Sequence, residues 1–140
     1  MKRILLAVND TPAGIAAART AIELAARTSA QVRAIHVLDG SRSAGGPAPG
    51  EPAAQQREAG SAAVLRFVTE IAAGASVPVQ VVTLHGRPAT LILEAAAAWP
   101  ADLIVLGRAG YRRVGAPFVG SEVLHVLEFA DVPVLVVPAG

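Results

Sequence analysis

The sequence predicts an α/β fold: a doubly wound, five-stranded parallel sheet, Rossmann-like, with helices on both faces. Three observations predict it. Five short runs rich in Val, Ile and Leu alternate with four longer segments of helical period. The apolar runs are nearly continuous rather than strictly alternating, as strands buried on both faces require. Asn, Asp, Gly and Pro fall between the two kinds of segment, where turns belong. Right-handed crossovers then place every strand in one parallel sheet.

The elements follow in order. Residues 3–8 (RILLAV) form a central strand, ended by Asn9-Asp10-Thr11-Pro12. Thr11 or Asp10 can cap the first helix, and Pro12 suits its first turn. Through residues 12–28, Ile15, Ala18, Ile22 and Ala25 recur at helical spacing, with Arg19, Glu23 and Arg27 elsewhere on the surface. Residues 31–38 (QVRAIHVL) make the second strand. Residues 39–52 are mostly Gly, Pro, Ser and Ala without an apolar period, and read as a flexible loop. The second helix spans about 53–73, with Val64, Phe67, Val68 and Ile71 on one face and Gly74 as its stop.

The third strand is 77–84 (VPVQVVTL). After His85-Gly86-Arg87, Pro88 opens the third helix, whose inner face carries Leu91, Ile92, Ala95, Ala96 and Trp99 before Pro100 closes it. The fourth strand is 102–106. The fourth helix begins near 119 and carries Val123, Leu124, Val126 and Leu127. The fifth strand is 132–137, bracketed by Pro133 and Pro138.

A chain of 140 residues fits one domain, 1–140, with a proper core. Twelve Lys and Arg against eleven Asp and Glu, scattered, make no field for nucleic acid. Cysteine is absent, which excludes disulfides and thiol catalysis. The apolar part of the first ten residues is too short for a signal peptide, and no window approaches membrane-spanning length, so a cytoplasmic protein without a membrane partner is expected.

In doubly wound sheets, ligands gather outside the carboxyl ends of the strands at the switch in strand order. Here those ends are 8–10, 37–39, 84–86 and 107–110. The stretch at 101–123 is an apolar strand, then Gly107 and Gly110, a loop with Arg112 and Arg113, and Gly120-Ser121 opening a helix. Such a junction offers backbone N–H groups and a positive dipole end to a phosphate. Three familiar nucleotide motifs fail. G-x-G-x-x-G after strand one is replaced by N-D-T-P-A-G. A P-loop lysine is missing, since Lys2 is the sole lysine. A phospho-receiver's acidic acceptor and strand-five lysine are replaced by Leu84-His85 and Pro138.

What remains is the spacing Gly107, two residues, Gly110, nine residues, Gly120-Ser121. Together with ILLAVND-TP at the start, AIHVLD, LHGRPATLILEAAAAWPADLIVLG and the closing GSEVLHVLEFADVPVLVV, it resembles the universal stress protein family over nearly the whole chain. The resemblance implies strand order 3-2-1-4-5. It implies a site for ATP, with Mg²⁺, at which Gly107, Gly110, Gly120 and Ser121 wrap the ribose and phosphates. Arg108, Glu122 and Val123 adjoin those residues, and Val37 offers backbone groups to the adenine edge. It also implies a homodimer paired through Val132 to Val137. Two departures stand out: Asn9, with Asp10 next, where the family usually has Asp, and Glu122 where it commonly has an apolar residue. The expected role is a stress-response or regulatory module in which ATP orders residues 108–119. A slow ATPase using Asp10 or Glu122, and a dimer that binds no nucleotide, are the alternatives.

His36 is expected to pack or hydrogen-bond within its strand, His85 to serve a turn, and His125 to lie on the surface. Their spacing assigns no metal site. Ser121 has no recognisable base–orienter pair beside it in sequence and is expected to cap the fourth helix, bind phosphate, or both.

Overall fold

The computed structural model describes residues 1–38, 52–108 and 120–139, with the side chains of the second helix described from residue 59. Nine elements run β1 (Arg3–Ala7), α1 (Pro12–Thr28), β2 (Gln31–Leu38), α2 (Pro52–Gly74), β3 (Val79–His85), α3 (Pro88–Ala98), β4 (Leu103–Gly107), α4 (Ser121–Phe129) and β5 (Val134–Val137). The strands form one parallel sheet in the order β3-β2-β1-β4-β5, as expected. Register is continuous across the centre: Ala7 of β1 lies opposite Ile35 of β2 on one side and Leu106 of β4 on the other.

Central β1 contributes Ile4, Leu5 and Leu6, all fully buried. Ile4 and Leu6 face the layer of α1 and α2, while Leu5 faces α3 and α4. Burying each of these side chains contributes roughly 1.5–3 kcal/mol, so an unbroken apolar run is required there. Helix α1 buries Ala13, Ala17, Ala18, Ala21, Ile22 and Ala25. Its inner face is therefore mainly alanine, and Ile15 stays partly exposed. Small side chains let α1 sit close to β1, β4 and β5.

The ends of the elements follow local chemistry. Thr11 caps α1, accepting a hydrogen bond from Gly14 N at 3.0 Å. Ser29, in the left-handed region at φ 58°, ends it. Strand β3 starts at Val79, two residues later than expected, because Pro78 cannot donate; its carbonyl instead accepts from Val32 N at 2.9 Å. Strand β5 starts at Val134 for the same reason, with Pro133 accepting from Ile104 N at 3.0 Å. Helix α4 starts at Ser121 rather than near 119. Its N-cap is Gly120, extended at φ −64° and ψ 152°, so Ser121 is the first helical residue and not the cap.

Coverage of the sheet is uneven. Helix α3 rests on β1 and β2 and α4 on β5, which leaves edge strand β3 open on the α3 side, where Val82 is 38% exposed. Among the described residues no helix is long and apolar enough to cross a membrane.

Candidate functional site

Strand order reverses between β1 and β4, so the crevice at their carboxyl ends is the place to look for a ligand. Asn9 and Asp10 follow β1 there, both exposed, and Gly107 and Arg108 end β4 beside them. Arg108 joins two further elements through its backbone: its N–H donates to Val137 O at 2.8 Å, and its carbonyl accepts from Gly120 N at 3.3 Å. The start of α4 is thereby tied to the end of β4. Gly110 and the arginines at 112 and 113 lie outside the described residues.

On the other side of β1, the ladder to β2 ends where Val8 N donates to Ile35 O at 2.9 Å. Backbone groups of a strand alternate in direction, so Val37 turns its N–H and C=O the same way as Ile35, past the end of β1. Val37 therefore borders the crevice with main-chain groups.

The glycines differ in what they leave room for. A Cβ at Gly107 would fall 2.7 Å from the carbonyl carbon of Ala13 and 2.9 Å from its oxygen and Cβ. The protein's own α1 fills that space, so Gly107 is needed for helix packing. A Cβ at Gly14 would lie 2.1 Å from Asn9 Oδ1 and 2.3 Å from its carbonyl oxygen. A Cβ at Gly120 would meet no described atom within 4 Å, and φ −64° is ordinary backbone. Neither packing nor conformation among the described residues demands glycine at 120.

Among the described residues the start of α4 is correspondingly bare: no side chain caps it, and the N–H groups of Ser121, Glu122 and Val123 have no protein acceptor. Ser121 is exposed, Glu122 half-buried and Val123 buried. Glu122 points elsewhere: its Oε2 accepts from Ala89 N at 2.6 Å, at the first turn of α3. Helix α3 has no side-chain cap from its own N-cap residue Arg87, so Glu122 serves in its place.

Asn9 is also engaged. Its Oδ1 accepts from the Thr11 hydroxyl, which in turn accepts from Gly14 N. This relay holds the turn after β1 against the first turn of α1. Sequence reasoning missed Gly14. The available signal was a glycine in the first turn of an otherwise alanine-rich helix, which costs stability unless something must approach closely.

His36, 8% exposed, shares a hydrogen bond between Nδ1 and Ser61 Oγ at 2.6 Å, and Ser61 Oγ lies 3.0 Å from Thr83 Oγ1. Burial pushes the His36 imidazole below its ordinary pKa, with the charge of Asp10 acting weakly the other way. His125 lies on the surface of α4, its ring 4.9 Å from that of Phe129. No group of three or more His, Cys, Asp or Glu among the described residues is placed to hold a metal ion.

Comparison with known proteins fits this geometry. A model of the universal stress protein family matches residues 1–138. A universal stress protein of Methanocaldococcus jannaschii is 33% identical over 138 residues, covering 97% of this chain and 81% of that protein. Among solved structures, universal stress protein UspA from Lactobacillus plantarum superposes with TM-score 0.79 at 27% identity, covering 97% of each chain. Two others are similar in fold: a universal stress protein in complex with cAMP (TM-score 0.73, 18% identity, 99% and 98% covered) and one from Archaeoglobus fulgidus in complex with dAMP (0.70, 20%, 98% and 97%). From the matching span, the shared strand order and the relative covering almost the whole chain, the chain belongs to the universal stress protein family.

Proposed function

We propose that this chain binds an adenine nucleotide, ATP with Mg²⁺, in the crevice between β1 and β4, and acts in the cytoplasm as a homodimeric stress-response module. One observation carries the reading: the start of α4, which no described side chain caps, beside Gly120, where neither φ nor any described neighbour calls for glycine. An anion there accepts from the N–H groups of Ser121, Glu122 and Val123 and meets the positive end of the helix dipole. No described atom lies within 4 Å of a Cβ at Gly120, so among the described residues nothing keeps a phosphate from the backbone there. The relatives solved with cAMP and dAMP support an adenine ligand, for which the main-chain groups of Val37 supply a matching hydrogen-bond edge.

Glu122 does not oppose this reading. Its carboxylate is held on α3 by Ala89 N, turned toward a second helix start. That engagement also weakens the case for ATP hydrolysis, since Glu122 was one of two acids able to act near a γ-phosphate and Asp10 is the other. Binding is favoured over turnover. Mg²⁺ enters with the nucleotide, and Asp10 is an exposed acid at this edge.

The dimer reading rests on β5. It is the edge strand next to β4, with Val134, Leu135 and Val136 half-buried, and α4 beside it exposes Leu124 and Leu127 by about half. An unpaired apolar edge favours pairing with a second copy.

The test is a thermal shift with Mg-ATP, together with mass spectrometry of purified protein for bound nucleotide. A ligand at ~100 times its dissociation constant adds roughly 2.7 kcal/mol of stability. Gly120→Val should remove that shift while the apo protein stays folded. Full ATP binding by the variant would move the site away from α4.

A further inference from the structure

Helix α3 leaves a groove of about 680 Å³ against β2 and β3, bordered by Arg33, Ile35, Gln80, Val82, Leu84 and Ala95. Cross-strand register arranges its floor in three rungs: Arg33 opposite Gln80, Ile35 opposite Val82, and Val37 opposite Leu84. One end is therefore a cation beside an amide, and the rest is aliphatic. The volume lies within the usual range for small-molecule sites, which is roughly 300–1,000 Å³.

Arg33 is held in an unusual way for a surface arginine. Its guanidinium lies over the Trp99 ring, 4.7 Å from the centroid. Its Nε and Nη2 both donate to Gln80 Oε1, at 3.1 and 2.7 Å. Those two contacts use one edge of the fork. The end-on pair, one hydrogen on Nη1 and the second on Nη2, has no acceptor among the described residues, and Arg33 has no carboxylate partner there. A guanidinium fixed on two sides and left open on a third is pre-organised for a bidentate carboxylate.

We propose that this groove binds an amphipathic carboxylate: the carboxylate on the end-on fork of Arg33, and an alkyl chain along Ile35, Val82 and Leu84 against Ala95. Gln80 and Leu84 are four residues apart, about 13 Å along the strand, which matches a medium-chain fatty acid lying extended. A single guanidinium balances a monoanion, and the aliphatic rungs offer nothing to a second charge. The charged end of the groove is separate from the nucleotide crevice: Arg33 and Gln80 form the rung farthest from Val37, whose main-chain groups border that crevice, and none of the lining residues belongs to the start of α4 or to the turn after β1.

The experiment titrates the intact protein with decanoate by isothermal calorimetry, with decan-1-ol as the neutral probe of the same length. Decanoate should bind saturably, one per chain. Decan-1-ol should bind weaker by roughly ten- to a hundred-fold, the worth of a charge-assisted hydrogen-bonded pair. Arg33→Gln should bring decanoate to the affinity of decan-1-ol, and Val82→Glu should abolish both. The thermal shift with Mg-ATP should be unchanged in Arg33→Gln, which separates this groove from the nucleotide site. Four results would overturn the proposal: no decanoate binding, equal affinity for acid and alcohol, full binding by Val82→Glu, or sedimentation showing that Val82→Glu dissociates a dimer that decanoate does not enter. The last would make the groove an interface between copies of this chain.

Discussion

Replacing Gly107 with alanine should destabilise the protein, while the same change at Gly120 should not. At 107 the new Cβ would sit 2.7–2.9 Å from three atoms of Ala13. Two of them are backbone in the first turn of α1, which is held by the Thr11 cap and cannot yield cheaply. Overpacking of this kind costs roughly 1–3 kcal/mol. For 140 residues, an unfolding entropy of about 2.1 cal/mol/K per residue converts each kcal/mol into about 3 °C, so the midpoint should fall by about 3–10 °C. At 120 the new methyl meets nothing described and the backbone is already in an allowed region. The change should stay within about 0.5 kcal/mol, under about 2 °C. Thermal unfolding followed by circular dichroism, without nucleotide, measures both. Isothermal calorimetry with Mg-ATP should then show weakened binding by Gly120→Ala despite its intact stability. If Gly107→Ala melts with the parent, or Gly120→Ala loses as much as Gly107→Ala, the division between a packing glycine and a ligand glycine is wrong.

The other predictions concern single contacts. Glu122→Ala removes the cap that Ala89 N relies on and should cost about 1 kcal/mol in thermal unfolding, whereas Glu122→Gln keeps an acceptor and should cost less. His36 is buried with a lowered pKa, so the unfolded chain takes up the proton first as pH falls. Its contribution is intact above about pH 6.5 and lost progressively below; urea unfolding should show this acid-side slope flattened in His36→Gln. Asp102 accepts from Lys2 N and Arg3 N, at 2.7 and 2.9 Å, and these bonds hold its carboxyl below the usual range. Its stabilisation is present above about pH 4 and lost as pH falls further, so Asp102→Asn should flatten only that acid limb. Leu127→Glu on α4 should shift sedimentation toward monomer, and a wild-type monomer at micromolar concentration would refute pairing through β5.

Much of the fold was readable because period and punctuation agreed. Apolar runs within 3–8 and 102–106 call for strands covered on both faces, and β1 and β4 are inner strands; the third inner strand, β2, carries Gln31, Arg33 and His36 among its apolar residues. The start of α1 was visible in Thr11-Pro12. Strand ends at Pro78 and Pro133 were less so, because an apolar run continues through a proline that cannot donate. The reach of α3 was not legible at all. Its inner-face residues do not say that it stops over β2 and leaves Val82 uncovered. At the candidate site, spacing picked out glycines without telling their tasks apart. The contact of Gly107 with Ala13, and of Gly14 with Asn9, depends on how α1 returns to β4, and a linear pattern does not carry that distance. Glu122 stood out only as a carboxylate where the family commonly has an apolar residue, since nothing in the sequence pairs residue 122 with residue 89.

The most direct measurement of the central claim is equilibrium dialysis of the protein against ATP with Mg²⁺, alongside Gly120→Val. The expected result is saturable binding of one nucleotide per chain, lost in the variant while its apo unfolding midpoint holds. Retention of no adenylate by the parent protein, or undiminished retention by the variant, would contradict a phosphate seat at the opening turn of α4.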